Sequence, residues 1–258
     1  MTIEEILKTL RPWLAKVNRP AWKPVVEKSE GAATASRFGG APWIGSDAPW
    51  PECSECKKAM PLFIQLDLDE LPEELGKPFG SGLLQLFYCT GDCECGWEPF
   101  NTVSHVRIVH PAPEEPSVQA ATGPAPFPTR SIVGWTRFDD RPDPGEFEEL
   151  GLNSTYDFDA GTIRLQCPEV DLDLVTGMGD VQVEEIATCK SGDKLGGWPA
   201  WVQGVEYPSC PLCQRRMILV FQVDSEDNIP FMFGDAGCGH ITQCPEHKEV
   251  VAFGWACC

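Results

Sequence analysis

The sequence is poor in basic residues and contains no long apolar run. Its 258 residues include 20 lysines and arginines against 39 aspartates and glutamates, a formal net charge of -19. Such a surface repels a phosphate backbone, which argues against a nucleic-acid partner. No segment reaches the roughly eighteen apolar residues of a membrane span, and the first residues lack the layout of a secretory signal. We therefore expect a cytoplasmic protein with no membrane association.

Familiar catalytic motifs are also missing. The sequence has no His-Glu-x-x-His, no Walker loop and no Gly-x-Ser-x-Gly elbow. It has only four histidines, and His105 and His110 lie in or beside a strand-like run, where packed or solvated histidines are commoner than general bases. We therefore predict no catalytic residue and favour a role other than catalysis.

Cysteine, in contrast, is abundant. An odd number of thiols, 13, in a chain of this length and without an export signal does not indicate a disulfide scaffold. In a reducing compartment, clustered thiols more often bind a metal. Cys167, Cys189, Cys257 and Cys258 stand outside the clusters, and we expect them to be ordinary thiols.

An internal repeat organises the chain. A shift of 157 residues places the segment Gly39 to Asp67 on Gly196 to Asp224 without a gap, and ten of the 29 aligned positions are identical. Roughly two identities would be expected by chance from average composition. Each copy runs from a Gly-Gly-x-Pro turn through an aromatic loop to a Cys-x-x-Cys pair and then to a strand-like stretch. The repeat predicts two related halves.

The C-terminal copy offers a complete set of zinc ligands. Cys210 and Cys213 form the Cys-x-x-Cys pair, and Cys244 and His247 follow at the same spacing in QCPEHKE. Three thiolates and one imidazole make a closed tetrahedral set, which is typical of structural zinc. Cys238 and His240 are spare candidates because GDAGCGHITQC alternates and could turn either side chain toward the metal.

The N-terminal copy predicts a second site with cysteine ligands only. Cys53 and Cys56 form the pair, and Cys89 is joined by either Cys93 or Cys95 from FYCTGDCECGW. One of these three downstream thiols should remain free. The alternative is that only one half of the chain keeps its metal, so we predict one or two zinc ions.

A redox function for these pairs is disfavoured. A redox Cys-x-x-Cys places its first thiol at a helix N-terminus, which lowers the thiol pKa. Both pairs here run within four residues into β-patterned apolar sequence. A closed four-ligand site does structural work, because it has no vacant position at which to activate water.

The predicted fold is mainly β (α+β), with two pseudo-symmetric β-rich lobes that arise from the duplication. We treat residues 1–258 as a single domain with halves of about 1–125 and 126–258. An amphipathic helix over residues 2–17 with a Thr2/Glu5 capping box begins the chain. A few peripheral helices are expected, one of them near residues 144–150, and the proline-rich segment 110–130 is expected to form a surface loop. The predicted strands are PLFIQLDL, LLQLFY, HVRIV, RSIVGWTRF, TIRLQ, MILVFQVD, IPFMF and VVAFGWA.

Several of these motifs resemble a known family. SRFGGAPW, WPEC, MPLFIQLDLDELP, GSGLLQLFYC, KLGGWPAWVQ, MILVFQVD and MFGDAG together resemble the YwqG-like domain family of unknown function, from about Ser36 onward. This resemblance implies a two-lobed β-rich fold and no established chemistry. The paired cysteines after GGWPAW are also similar to the C-terminal region of the programmed cell death protein 2 family. That more distant resemblance implies a chaperone of a basic ribosomal protein.

Two functional hypotheses follow. The first is a non-catalytic protein, braced by structural zinc, whose acidic surface binds a basic protein partner in a chaperone-like or toxin-immunity-like manner. The alternative is a metal-dependent hydrolase with a site in the cleft between the halves. This alternative requires an open zinc site, with three protein ligands and a water.

Overall fold

The computed structural model describes residues 2–46, 48–93, 96–112, 127–186 and 189–257. The proline-rich segment and the expected boundary near residue 125 lie largely outside this part of the chain. In chain order the helices are α1 Ile3–Val17 and α2 Val183–Ile186. The strands are β1 Arg19–Glu27, β2 Arg37–Phe38, β3 Leu62–Asp67, β4 Leu83–Tyr88, β5 Ser104–Val109, β6 Arg130–Asp140, β7 Asn153–Asp157, β8 Thr162–Cys167, β9 Leu172–Gly177, β10 Lys194–Gly196, β11 Ile218–Asp224, β12 Cys238–Gln243 and β13 Val251–Ala256. The prediction of a mainly β fold is confirmed.

Helix α1 begins with the predicted capping box. The Thr2 hydroxyl accepts a hydrogen bond from the Glu5 N–H (3.3 Å), and the Glu5 carboxylate accepts one from the Thr2 N–H (2.8 Å). Together these bonds satisfy two donors that the first helical turn would otherwise leave without partners. The apolar face of α1 is buried, so this helix packs on the domain as its periodicity predicts. No helix of the described residues is long and apolar enough to cross a membrane.

Ten strands form one antiparallel sheet in the order β13-β12-β11-β10-β1-β6-β2-β3-β4-β5. This order is palindromic about the central β1–β6 pair, because β2 to β5 on one side match β10 to β13 on the other. The register matches as well. Arg37 pairs with Gln65, and Lys194 pairs with Gln222, 157 residues later in each case. The sequence repeat is therefore a structural repeat.

The two halves are interlocked at the centre of the sheet. Strand β1 lies beside β10 of the second half, and β6 lies beside β2 of the first half. One apolar core spans both halves, and the two edge strands β5 and β13 contact each other as the sheet curls. Phe63 of β3 packs edge-on against Phe231 from the second half, with ring centroids 5.1 Å apart. The main core is therefore shared by the two halves.

The repeated glycines and glutamines hold equivalent loops in place. Gly39 and Gly40 have φ values of 58° and 67°, in the left-handed region that a glycine adopts without strain. The buried Gln65 accepts a hydrogen bond from the Trp43 N–H and donates one to the Ala35 carbonyl. Gln222 makes the corresponding two bonds 157 residues later. The repeated polar residues are thus buried structural positions.

A second, smaller core is formed by the residues between β6 and β10 together with α1. Strands β7, β8 and β9 form a three-stranded antiparallel sheet that packs with α1 and α2. Trp13 of α1 stacks edge-on against Phe147, 5.6 Å between ring centroids, and donates its indole N–H to the Leu150 carbonyl (2.9 Å). Among the described residues, the first half contains no counterpart of this three-stranded sheet.

Several features differ from the sequence prediction. Six strands were not predicted: β1, β2, β7, β9, β10 and β12. The stretch Ile229 to Phe233 is not a strand; its apolar side chains reach the shared core from an irregular loop, and Pro230 has no N–H to donate to a ladder. The next strand is instead β12. Strand β1, which contains Pro20 and Pro24, was not predicted, yet it is central. Strand β10 pairs with β1 only at two residues between these prolines, so neither one removes a bond to β10.

A buried ion pair lies near the centre of the sheet. Lys194 and Asp140 are 1% and 0% exposed, and their Nζ and Oδ2 atoms are 2.8 Å apart. The Asp140 carboxylate also accepts hydrogen bonds from the N–H groups of Lys190 and Trp198, both at 2.9 Å. These bonds tie β6 to β10 and to the turn that follows β10.

We predict that Asp140→Ala lowers the free energy of unfolding by about 3–5 kcal/mol, because Lys194 would remain buried without a partner. Denaturant unfolding of the metal-loaded protein measures this change. Asp173→Ala is the control, since it breaks the exposed Arg164–Asp173 pair and should leave the unfolding midpoint almost unchanged. Equal effects of the two substitutions would contradict the prediction.

Candidate metal centres

Each Cys-x-x-Cys pair lies on a tight turn closed by a short antiparallel bridge. In the first turn, the Cys53 N–H donates to the Lys58 carbonyl (2.9 Å) and the Lys57 N–H donates to the Cys53 carbonyl (3.0 Å). Lys57 has a φ of 60°, and Gln214 has the same value in the second turn. A side chain pays a conformational cost in this left-handed region. Both turns contain a residue with this unfavourable backbone conformation at the same position.

The remaining donors of the first group follow the next strand. Cys89 comes directly after β4, and Cys93 lies four residues further on. The sulfurs of Cys53, Cys56, Cys89 and Cys93 all lie within 4.8 Å of one another. The sequence left Cys93 and Cys95 as alternatives; the structure brings Cys93 into the group, and Cys95 lies outside the described residues.

The second group has the same architecture. Cys244 comes directly after β12, and His247 follows on the next turn. The ligand atoms of Cys210, Cys213, Cys244 and His247 again lie within 4.8 Å of one another. The two groups therefore stand at equivalent ends of β3–β4 and β11–β12, and each could hold a metal ion.

The first group fits a tetrahedral metal. Its sulfurs are 3.7 Å apart in three pairs: Cys53–Cys93, Cys56–Cys89 and Cys89–Cys93. Four sulfurs at about 2.3 Å from a central zinc would be about 3.8 Å apart at the tetrahedral angle. A disulfide would require about 2.05 Å. The observed spacing matches metal ligation and does not match disulfide bonding.

The second group fits the same geometry with one imidazole. The Cys213 and Cys244 sulfurs are 3.6 Å apart. The Nδ1 atom of His247 lies 3.7 Å from both the Cys210 and the Cys244 sulfur. Nδ1 is thus the ring nitrogen that faces the thiols.

Backbone N–H groups point at the sulfurs. Leu212 donates to the Cys210 sulfur (3.4 Å), and Glu246 and His247 donate to the Cys244 sulfur (3.4 and 3.3 Å). Such hydrogen bonds stabilise a thiolate and orient a ligand. These turns therefore favour the thiolate form of Cys210 and Cys244.

The pKa values reflect these contacts. Burial opposes ionisation of Cys244, but hydrogen bonds from the His247 and Glu246 N–H groups lower its pKa to about 6. A hydrogen bond from the Lys58 backbone lowers the pKa of Cys56 to about 7. A hydrogen bond with the Cys56 side chain is the main reason why the pKa of Cys93 is raised instead. Neighbouring thiols thus compete for charge, and a bound cation would allow all of them to ionise.

The spare candidates lie outside both groups. Cys238 and His240 are buried on β12, and the His240 ring packs against Trp201 with centroids 4.8 Å apart. Burial lowers the pKa of His240 to about 3, so this imidazole is neutral at physiological pH. Neither Cys238 nor His240 belongs to a ligand group among the described residues, so His240 does not complete an open zinc site there. With four protein donors, each group leaves a four-coordinate metal no vacant position for water.

Other cysteines serve as packing residues. Cys167 is buried in the small core, and Cys189 lies near Asp143, with burial as the main cause that raises its pKa to about 12. Cys257 is partly buried against the main core, and Cys258 lies outside the described residues. Neither Cys-x-x-Cys pair opens a helix, so neither has the dipole that activates a redox thiol.

A protein-family model described as "Domain of unknown function (DUF1963)" matches residues 36–247. The chain belongs to this family. All eight candidate ligands of the DUF1963 domain fall within the matched segment, which ends at His247. Helix α1 and strand β13 lie outside it.

One relative shares a short segment with this DUF1963 protein. "Uncharacterized protein YpfL" of Salmonella typhimurium (strain LT2) is 50% identical over 34 residues, which are 13% of this chain. The chain spans only 8% of the length of that relative. The family model that matches is described as of unknown function. The finer resemblances to the YwqG-like and programmed cell death protein 2 families stay predictions.

The two groups should lose metal independently. We predict that Cys56→Ser and Cys213→Ser each reduce the metal content by one ion per chain, because three donors bind far more weakly than four. Elemental analysis of protein purified without added metal measures this content. Cys167→Ser is the buried control, and Cys95→Ser tests the choice between Cys93 and Cys95. Loss of metal in the Cys95 variant would show that the first group has been assigned incorrectly.

Proposed function

We propose that this protein is a non-catalytic, intracellular binding protein in which two structural zinc ions brace the sheet and an acidic surface engages a basic protein partner. The observation that carries this proposal is the pair of closed four-donor groups at equivalent ends of the duplicated fold. The binding would be chaperone-like or immunity-like. In both cases, the protein would hold a basic client and would not transform it.

Zinc suits the donor sets best. Tetrahedral sets of four cysteines, or of three cysteines and one histidine, are typical of structural zinc. Thiolate ligands favour zinc over magnesium or calcium, which take oxygen ligands. Zinc also has no redox chemistry, which agrees with thiols that no helix dipole activates. A reducing compartment such as the cytoplasm would keep these thiols available.

The zinc ion of the second group would fix a turn that the main apolar core does not include. The core around the second group consists of only four buried residues, two of which are the ligands Cys210 and Cys244. A metal that joins this turn to the end of β12 would replace the missing apolar contacts. The first group differs, because Cys53 and Cys89 belong to the main apolar core and a metal there would add to existing contacts.

The net charge supports the choice of a basic partner. Seven described lysines and arginines already form ion pairs within the chain: Lys16, Lys77, Arg137, Arg164, Lys194, Arg215 and Arg216. Because 39 aspartates and glutamates stand against 20 lysines and arginines, acids remain in excess even if every cation is paired, and the net charge is -19. Zinc bound to four thiolates adds roughly -2, and zinc bound to three adds roughly -1. A basic segment would be steered to such a surface.

The hydrolase alternative needs an open zinc position, and no observation on the described residues favours one. The four donors of each group fill a tetrahedral shell. His240, which would have completed an open site, is buried against Trp201.

Affinity capture tests the proposed partner. We expect the immobilised, zinc-loaded chain to retain from native extract a protein with an isoelectric point well above 9, and salt to release it. Direct binding of that protein, purified, should then follow a 1:1 titration. An unrelated protein of equal net charge on the same resin controls for simple ion exchange. Retention of acidic proteins only, or equal retention by the control, would contradict the proposal.

A further inference from the structure

An aromatic cleft lies where the two edges of the sheet approach each other. It encloses about 610 Å³ and is lined by two segments remote in sequence, Trp97 to Pro99 and Gln203 to Pro208, together with the end of β13. This volume lies within the range of pockets that bind small ligands or side chains. The cleft belongs to neither metal group.

Two tryptophans form one wall. Trp97 and Trp255 pack edge-on, with ring centroids 6.1 Å apart. Trp255 is buried and fixed, because its indole N–H donates to the Tyr88 hydroxyl (2.8 Å). Trp97 is 59% exposed. A large indole with this much exposure beside a cavity is available for a ligand.

The Trp97 loop is held in place by β13. The backbone N–H of Trp255 donates to the Trp97 carbonyl (3.1 Å), and the Asn101 carboxamide donates to the Phe253 carbonyl (3.0 Å). A Cβ atom at Gly254 would lie 2.6 Å from the Trp97 carbonyl oxygen, so only glycine permits this approach. The wall is therefore preformed.

The opposite wall carries Tyr207. Its ring lies under the Arg216 guanidinium (3.6 Å) and edge-on to Trp201 (4.8 Å). The charge of Arg216 is balanced by ion pairs with Glu146 and Glu149. Arg19 is a second cation beside Tyr207 and interacts electrostatically with Glu146. This side of the cleft is thus also preorganised, with two arginines set against two glutamates.

The charged residues that line the cleft are acidic. Glu98 and Glu206 are both exposed, one on each wall, and no lysine or arginine is among the described lining residues. Indole faces and carboxylates both attract a cation. A guanidinium suits this combination, because it stacks on an aromatic ring while its N–H groups bind carboxylates.

We propose that this cleft binds an arginine side chain of a basic peptide segment, with Trp97 stacking on the guanidinium and Glu98 and Glu206 binding its N–H groups. This inference rests on the proposed function and locates its contact site. The exposed Trp97 and the pairing of aromatic walls with carboxylates carry it.

Both walls of the cleft lie close in sequence to a metal group. Cys93 precedes Trp97 by four residues, and Pro208 precedes Cys210 by two. We therefore expect each metal ion to help to position one wall. Loss of either metal should loosen one wall and weaken binding.

A labelled peptide with alternating glycine and arginine tests this proposal by fluorescence anisotropy, with glutamate and lysine versions of the same peptide alongside. We expect the arginine peptide to bind best. Trp97→Ala should weaken its binding about tenfold, within the range of cation–aromatic contacts. The double variant Glu98→Gln, Glu206→Gln should weaken it similarly and preserve the shape of the cleft.

Matched controls lie on the small sheet. Tyr156→Ala removes another partly exposed aromatic ring, and Asp157→Asn with Asp159→Asn removes the same charge. These controls should change affinity less than about twofold. Metal content and thermal unfolding of every variant show whether it is folded.

The possible outcomes separate the two proposals. If the arginine peptide binds, but the cleft variants and the control variants weaken its binding equally, the cleft is not the binding site. The proposed function would then still stand. Failure of the unaltered protein to prefer arginine over glutamate peptide would contradict both.

Discussion

The structure depends on the convergence of a Cys-x-x-Cys turn with two donors that follow the next strand. In both halves this convergence brings four ligand atoms within 4.8 Å of one another. Four ionised or partly ionised donors so close together repel unless a cation lies between them. Structural zinc supplies about 10–16 kcal/mol in small zinc peptides at neutral pH, which is comparable with the whole stability of a domain. The turns, and the loops that begin or end at them, would owe their order to this contribution.

Duplication explains why the two groups are equivalent, and interlocking explains why the halves cannot separate. The first strand of each half completes the sheet of the other, and aromatic rings from both halves share one core. The buried Asp140–Lys194 pair reinforces the centre of this arrangement. The metal groups lie instead at the ends of the strands. The first group joins the main core through Cys53 and Cys89, whereas the second group lies in a small cluster of its own.

Local signals predicted much of the fold and of the metal groups. The capping box of α1, most strands of the main sheet and seven of the eight donors follow from short-range patterns; the eighth was left between Cys93 and Cys95. Prediction failed where tertiary context decides. The prolines of β1 argue against a central strand, because proline cannot donate to a sheet. The short β10, however, pairs with β1 only between these prolines. The apolar run Ile229 to Phe233 reads as a strand, yet it packs as a loop. The cleft could not be predicted, because Trp97, Glu206 and Trp255 come together only when the sheet edges meet.

X-ray absorption at the zinc edge tests the central claim most directly, because it reports the ligands of the metal itself. We expect protein purified without added metal to contain two zinc ions that together have seven sulfur ligands and one nitrogen ligand. Zinc–sulfur distances should be near 2.3 Å. A shell with fewer sulfurs and an oxygen ligand, or the absence of zinc from protein that is folded, would contradict the account.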